Sequence, residues 1–221
     1  AFRAVPGVKD LAAFRRCLAW VASRRGQVLN PTDLAAPLGV SVPTITRWNS
    51  VPETTAQILI VPPFYENLGK RLIKSPKVYL ADSGLACHLL GIDSAAELAK
   101  SPFAGSLFEG LIASEIVKAQ VNAGGRRELY HFRDEQGLEV DFVFPGRNGS
   151  LTLVECKAVR TVTPAMAAPM QRLRDAARKK RPKEAAVNMF LVHQAPMVKS
   201  RTEAVAPGVR ALTWRDFLEA M

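Results

Sequence analysis

Cysteine is scarce in this chain of 221 residues. Its three thiols, Cys17, Cys87 and Cys156, are odd in number and far apart. They make neither a disulfide framework nor a C-x-x-C zinc pattern, which fits a reducing cytoplasm, the expected location. The three histidines, His88, His131 and His193, have no metal-ligand spacing and read as structural or surface groups. His131 alone falls on a strand near the candidate site. Long apolar runs are also missing. The longest, such as 58–63, are far too short to span a bilayer, so no membrane partner is expected. No charged-then-apolar leader opens the chain, so no signal peptide is expected. The string G-x-x-x-x-G-K-[ST] is absent as well. Gly69-Lys70 is followed by Arg71, and Phe64 stands where the first glycine should be, so no ATPase activity is assigned.

Acidic charge is in deficit. Thirty Lys and Arg against twenty Asp and Glu leave a formal charge of +10, which favours a polyanionic partner such as nucleic acid. The basic residues cluster at Arg15-Arg16, Arg24-Arg25, Lys70-Arg71, Arg126-Arg127 and 178–183. A solvated basic surface would account for the same charge.

The hydrophobic period divides the chain. Asp10 can cap a helix carrying Leu11, Phe14, Leu18 and Val21. A short helix follows at 33–38, with Pro31 near its first turn, then a glycine turn at Gly39. Ser41 caps a third helix with Ile45 and Trp48. That order is the order of a helix-turn-helix, and it presents Thr44, Thr46 and Arg47 outward. Strand-like runs at 57–61 and 77–80 bracket a basic wing with Lys70, Arg71 and Lys74. A small helix is expected at 84–90 and a polar connector at 92–102. The expected domains are therefore a winged module at 1–92 and a second domain at 103–221. The latter opens with an amphipathic helix at 106–121. Strands follow at 129–133, 138–144 and 151–157, then a helix at 166–180 and strands at 186–192 and 209–212. Thr213 caps a closing helix. The strand–helix–strand crossover implies a parallel last pair. The fold class is α/β (α+β), a mixed sheet flanked by helices.

Side chains alternate along a strand, so Glu155 and Lys157 share one face, and Asp141 interrupts an otherwise apolar strand. A charge there is costly unless it is paired or metal-bound. Two carboxylates make a hard oxygen site suited to magnesium or manganese. Such an ion activates water and neutralises charge on a phosphate, while Lys157 can stabilise the transition state or position the water. Glu109, on the preceding helix, could add a third carboxylate. A strand-edge salt bridge explains Glu155 and Lys157 without any catalysis.

Asp141, followed after a turn by Glu155-Cys156-Lys157, resembles the PD-(D/E)xK nuclease signature. Longer strings resemble a narrower family: residues 62–71, Lys74-Ser75-Pro76-Lys77-Val78-Tyr79, Asp82-Ser83-Gly84-Leu85-Ala86, Leu107-Phe108-Glu109-Gly110 and Glu139-Val140-Asp141-Phe142. Together they look like the C-terminal region of prokaryotic AAA-type ATPases, domain of unknown function 4143. The resemblance implies a winged-helix segment followed by a restriction-endonuclease-like domain. It makes Glu109 the helix carboxylate, Asp141 and Glu155 the metal ligands and Lys157 the catalytic lysine. It matches Gln171 to a polar position on the following helix. It also implies an ATPase domain absent from this chain as a partner. The expected function is metal-dependent cleavage or binding of DNA. The alternative is a non-catalytic DNA- or protein-binding regulatory module of such an ATPase.

Overall fold

A computed structural model describes residues 10–23, 31–45, 57–64, 75–146, 150–180, 186–194 and 204–221. Arg47, Lys70, Arg71 and Lys74, four of the five expected DNA contacts, lie outside these residues, as do residues 65–74 of the expected wing. The chain divides into two compact units, Ala1–Ile60 with Pro76–Ser114, and Val61–Ser75 with Glu115–Met221.

In the first unit, helix α1 (Leu11–Ser23) starts where expected, because the Asp10 carboxylate accepts the Ala13 N–H at 2.9 Å. Its stripe of Phe14, Leu18 and Val21 is buried. Helix α2 (Pro31–Leu38) takes Pro31 in its first turn, where no N–H is missed. Gly39 turns the chain at φ +65°, and residues 42–45 begin α3. Ile45 is wholly buried there. The Thr44 hydroxyl is engaged locally, 2.9 Å from the Ser41 hydroxyl. Strands β1 (Ile58–Val61) and β2 (Lys77–Leu80) form a two-stranded sheet. Helix α4 (Ser83–Leu89) is capped by Asp82.

The expected connector at 92–102 departs from expectation. It holds helix α5 (Ala95–Lys100). Ser94 accepts the Glu97 N–H, and the Glu97 carboxylate accepts the Asp93 N–H. This reciprocal cap makes a short, exposed helix viable. Ile92, Leu98 and Phe103 pack on the first unit's core, so the segment is part of that unit. Helix α6 (Ala104–Asn122) begins in the first unit and ends in the second.

The second unit is built on a six-stranded mixed sheet of order β3-β4-β5-β6-β8-β7. The strands are β3 (Tyr130–Arg133), β4 (Glu139–Pro145), β5 (Leu151–Lys157), β6 (Val187–His193), β7 (Ala204–Ala206) and β8 (Val209–Thr213). The first three are antiparallel neighbours; β5, β6 and β8 run parallel. The β5–α7–β6 crossover, through α7 (Ala168–Lys180), is parallel as expected. A 3-10 turn at Pro164–Ala167 precedes α7, where a continuous helix from 166 was expected. The prolines explain the difference: Pro169, four residues before Leu173, cannot donate back to Ala165. Strand β7 was not expected. It is three residues long and pairs with β8 across a turn in which Gly208 has φ +75°. The closing helix α8 (Trp214–Ala220) is capped by Thr213, whose hydroxyl accepts the Asp216 N–H.

One face of the sheet buries Val143, Leu153, Leu191, Met189 and Ala211 against Met170 and Leu173 of α7. The segment after β1 runs beside β3. There Phe64 N–H donates to the His131 carbonyl, and His131 N–H donates to the Pro62 carbonyl.

Candidate functional site

The pairing of β4 with β5 sets Phe142 opposite Val154 and Val143 opposite Leu153. Continuing that register by one residue puts Asp141 opposite Glu155. Opposed residues of an antiparallel pair share a face. Asp141, Glu155 and Lys157 therefore extend the row of Val143 and Leu153, at the end where the apolar cover of α7 gives way to the loop at 158–163.

Asp141 and Glu155 are 9% and 6% exposed, so both carboxylates are buried enough to need partners. An Asp141 oxygen accepts the backbone N–H of Cys156 at 2.8 Å. This bond locks the aspartate onto the neighbouring strand. The Lys157 ammonium donates to Glu155 Oε1 at 2.7 Å, and the lysine side chain keeps 35% of its surface exposed. Burial pulls the Lys157 pKa down. The Glu155 charge and hydrogen bond, aided by Asp141, outweigh that and hold it above its ordinary 10.5. Lys157 is therefore a fixed ammonium at neutral pH. It can donate a hydrogen bond and stabilise negative charge, but it is not a general base.

Glu109 has partners of its own. Its Oε1 accepts from the Lys77 ammonium at 2.7 Å and from the Tyr79 hydroxyl. Lys77 is nearly buried. A Cβ on Gly110 would meet the Tyr79 ring at 3.4 Å, the limit of ordinary contact, so glycine lets α6 lie close on β2. The Lys77-Val78-Tyr79 and Phe108-Glu109-Gly110 strings are thus partners in one buried ion-pair arrangement of the first unit.

Gln171 donates to the Pro207 carbonyl at 3.2 Å, alongside Arg174, and so braces the β7–β8 turn. His131, 1% exposed, lies with Nε2 3.2 Å from the Ser75 carbonyl, an anchoring role. The site has one neighbour that the sequence reads as a structural or surface group. His193 pairs in register with Lys157 and is buried. Its Nδ1 lies 2.7 Å from the Gln194 carbonyl; a carbonyl cannot donate, so Nδ1 carries the proton. The alternation Met189, Leu191, His193 would have found it, had the strand been read one residue longer.

Among the described residues no group of three or more His, Cys, Asp and Glu side chains is arranged to hold a metal ion. The pair Asp141 and Glu155 still suits magnesium or manganese, which is commonly held by one or two carboxylates with water and substrate phosphate filling the remaining positions.

Residues 104–205 match the family model of domain of unknown function DUF4143. Residues 2–96 match a second, domain of unknown function DUF8612. The chain is also similar to Uncharacterized protein Rv2008c of Mycobacterium tuberculosis (strain ATCC 25618 / H37Rv) and to Uncharacterized protein Mb2031c of Mycobacterium bovis. Each is 30% identical over 160 residues, which is 72% of this chain and 35% of the relative. The chain thus spans about a third of the length of the curated relatives it matches. The DUF4143 stretch contains Asp141, Glu155 and Lys157. No helix of the described residues is long and apolar enough to cross a membrane.

Proposed function

We propose that the second unit is a restriction-endonuclease-like domain that hydrolyses phosphodiester bonds of DNA with magnesium or manganese. One observation carries the reading: two buried carboxylates and a permanently charged lysine share the end of one sheet face. Asp141 and Glu155 would hold the ion, which on binding would supply an activated water and charge neutralisation at the phosphate. The Cys156 N–H fixes Asp141 in place. Lys157, held by Glu155, donates to the phosphoryl oxygens as negative charge builds on them. The net charge of +10 suits a polyanionic substrate. The first unit, in which α1, α2 and α3 precede a two-stranded sheet, would act as a winged helix-turn-helix contributing DNA contacts. An AAA-type ATPase domain would be its natural partner. Purified protein should cut DNA in magnesium or manganese, and Asp141→Ala or Lys157→Ala should abolish the cutting. Cleavage that survives both substitutions sinks the catalytic reading.

A second reading is favoured by the partners these groups already have. Asp141 is tied to Cys156, Glu155 to Lys157, and Glu109 to Lys77 and Tyr79. Such pairs, each within its own unit, are structural contacts, and the chain is then a non-catalytic DNA- or protein-binding module of an ATPase. A titration with and without divalent metal separates the two. Salt-sensitive DNA binding that ignores metal and yields no cut product supports the second.

A further inference from the structure

Among the described residues, the other face of the same sheet is incompletely covered. Thr152 pairs with Asn188, and Val154 with Phe190, which in turn pairs with Arg210. These positions alternate with Glu155 and Lys157, so they point to the opposite face. Phe144, opposite Thr152, belongs to the same row. Strand β6 lies inside the sheet, yet Asn188 is exposed and Phe190 is only half-buried. An exposed polar residue and a partly exposed aromatic ring on an interior strand are not explained by packing alone.

They line a cavity of about 660 Å³, within the range of small-molecule sites. Phe144, Phe190 and Phe217 supply an aromatic wall; the Phe190 and Phe217 rings meet edge-on at 5.5 Å. Asn188 contributes a carboxamide, which can offer both a donor and an acceptor in one plane. Its amide nitrogen lies 3.1 Å from the Ser150 hydroxyl, which orients the group. Arg126 lines the cavity, and the Arg210 guanidinium sits 5.7 Å from the centre of the Phe190 ring.

We propose that this cavity binds a nucleotide unit, the base stacked on the cavity side of Phe190 and its edge read by Asn188, with the phosphate toward Arg126. An aromatic ring, an oriented carboxamide and a guanidinium group match the three parts of that ligand, its ring face, its ring edge and its dianion. The site does not depend on the hydrolytic reading, since it lies on the face away from Asp141 and Glu155. A free mononucleotide and the terminal nucleotide of a strand share this chemistry.

Calorimetric titration of the full chain tests it, with adenosine monophosphate, adenosine, ribose 5-phosphate and a short single-stranded oligonucleotide as probes. The mononucleotide should bind more tightly than either fragment. Phe190→Ala should weaken it about tenfold, the loss of one base–aromatic stack. Asn188→Ala, at an exposed position, should weaken it with the melting temperature unchanged, which guards against a Phe190 variant that merely unfolds. If only the oligonucleotide binds, with the same sensitivity, the ligand is a strand terminus. No binding by any probe, or binding lost in Lys157→Ala and intact in both cavity variants, overturns the proposal.

Discussion

Replacing Lys157 with alanine removes the ammonium that the buried Glu155 carboxylate accepts from. The Glu155 side chain is 8% exposed, so without the ammonium its carboxylate has little water to replace a 2.7 Å hydrogen bond. Removing one partner of a fully buried ion pair costs about 3–5 kcal/mol. Lys157 is 35% exposed, and solvent already screens its end of the pair, so the cost here is about 1–3 kcal/mol. The pH dependence carries a sign. In the native protein the Lys157 pKa is raised, so its contribution is fully present below 10.5 and fades only as pH climbs past the folded value. A buried carboxylate deprived of that ammonium is better tolerated when protonated, so the deficit of the variant should be smaller at pH 4.5 than at pH 7.5. Glu155→Gln in the same background should recover much of the loss, because the charge is gone. Urea unfolding at pH 4.5 and pH 7.5, followed by tryptophan fluorescence, measures all three differences. Equal stability of Lys157→Ala and parent at pH 7.5 would refute the claim that this pair is a buried, mutually dependent one.

Three further outcomes follow from the same geometry. Asp141→Asn keeps an oxygen for the Cys156 N–H and should stay near parental stability, whereas Asp141→Ala leaves that donor buried and should cost about 1–3 kcal/mol; chemical denaturation compares them. Glu109→Ala should destabilise the protein by about 2–4 kcal/mol in metal-free buffer, because Lys77 is left buried without its carboxylate; thermal melts with a chelator check this, and no change would return Glu109 to the list of candidate metal ligands. Burial pushes the Cys17 thiol up to about 11, so roughly one part in a thousand is thiolate at pH 8; iodoacetamide at that pH should leave it unmodified in the native protein and label it on unfolding, as read by mass spectrometry.

Much of the second unit was legible because its signals are local. Strand β5 is delimited by the turn residues before it and by alternation, and α8 by the Thr213 cap. The errors are where local pattern gives no signal. Strand β7 is a three-residue edge with no period of its own, and it exists because β8 offers it a partner. The helix α5 lies in a polar stretch, and its one local signal is the Ser94-x-x-Glu97 cap. The candidate contacts Arg47, Lys70, Arg71 and Lys74 lie outside the described residues, so their part rests on the sequence.

By itself the sequence determined that Glu155 and Lys157 share a face, because a strand's period of two leaves no other arrangement. It also placed Asp141 on a neighbouring apolar strand. Only the tertiary structure decided that Asp141 lies opposite Glu155 and bonds to Cys156, since register depends on how two separate segments meet. Only it showed that Glu109 is held by Lys77 and Tyr79, about thirty residues away in the chain. Which charges neutralise one another is a matter of distance in space, and no spacing along the chain encodes it.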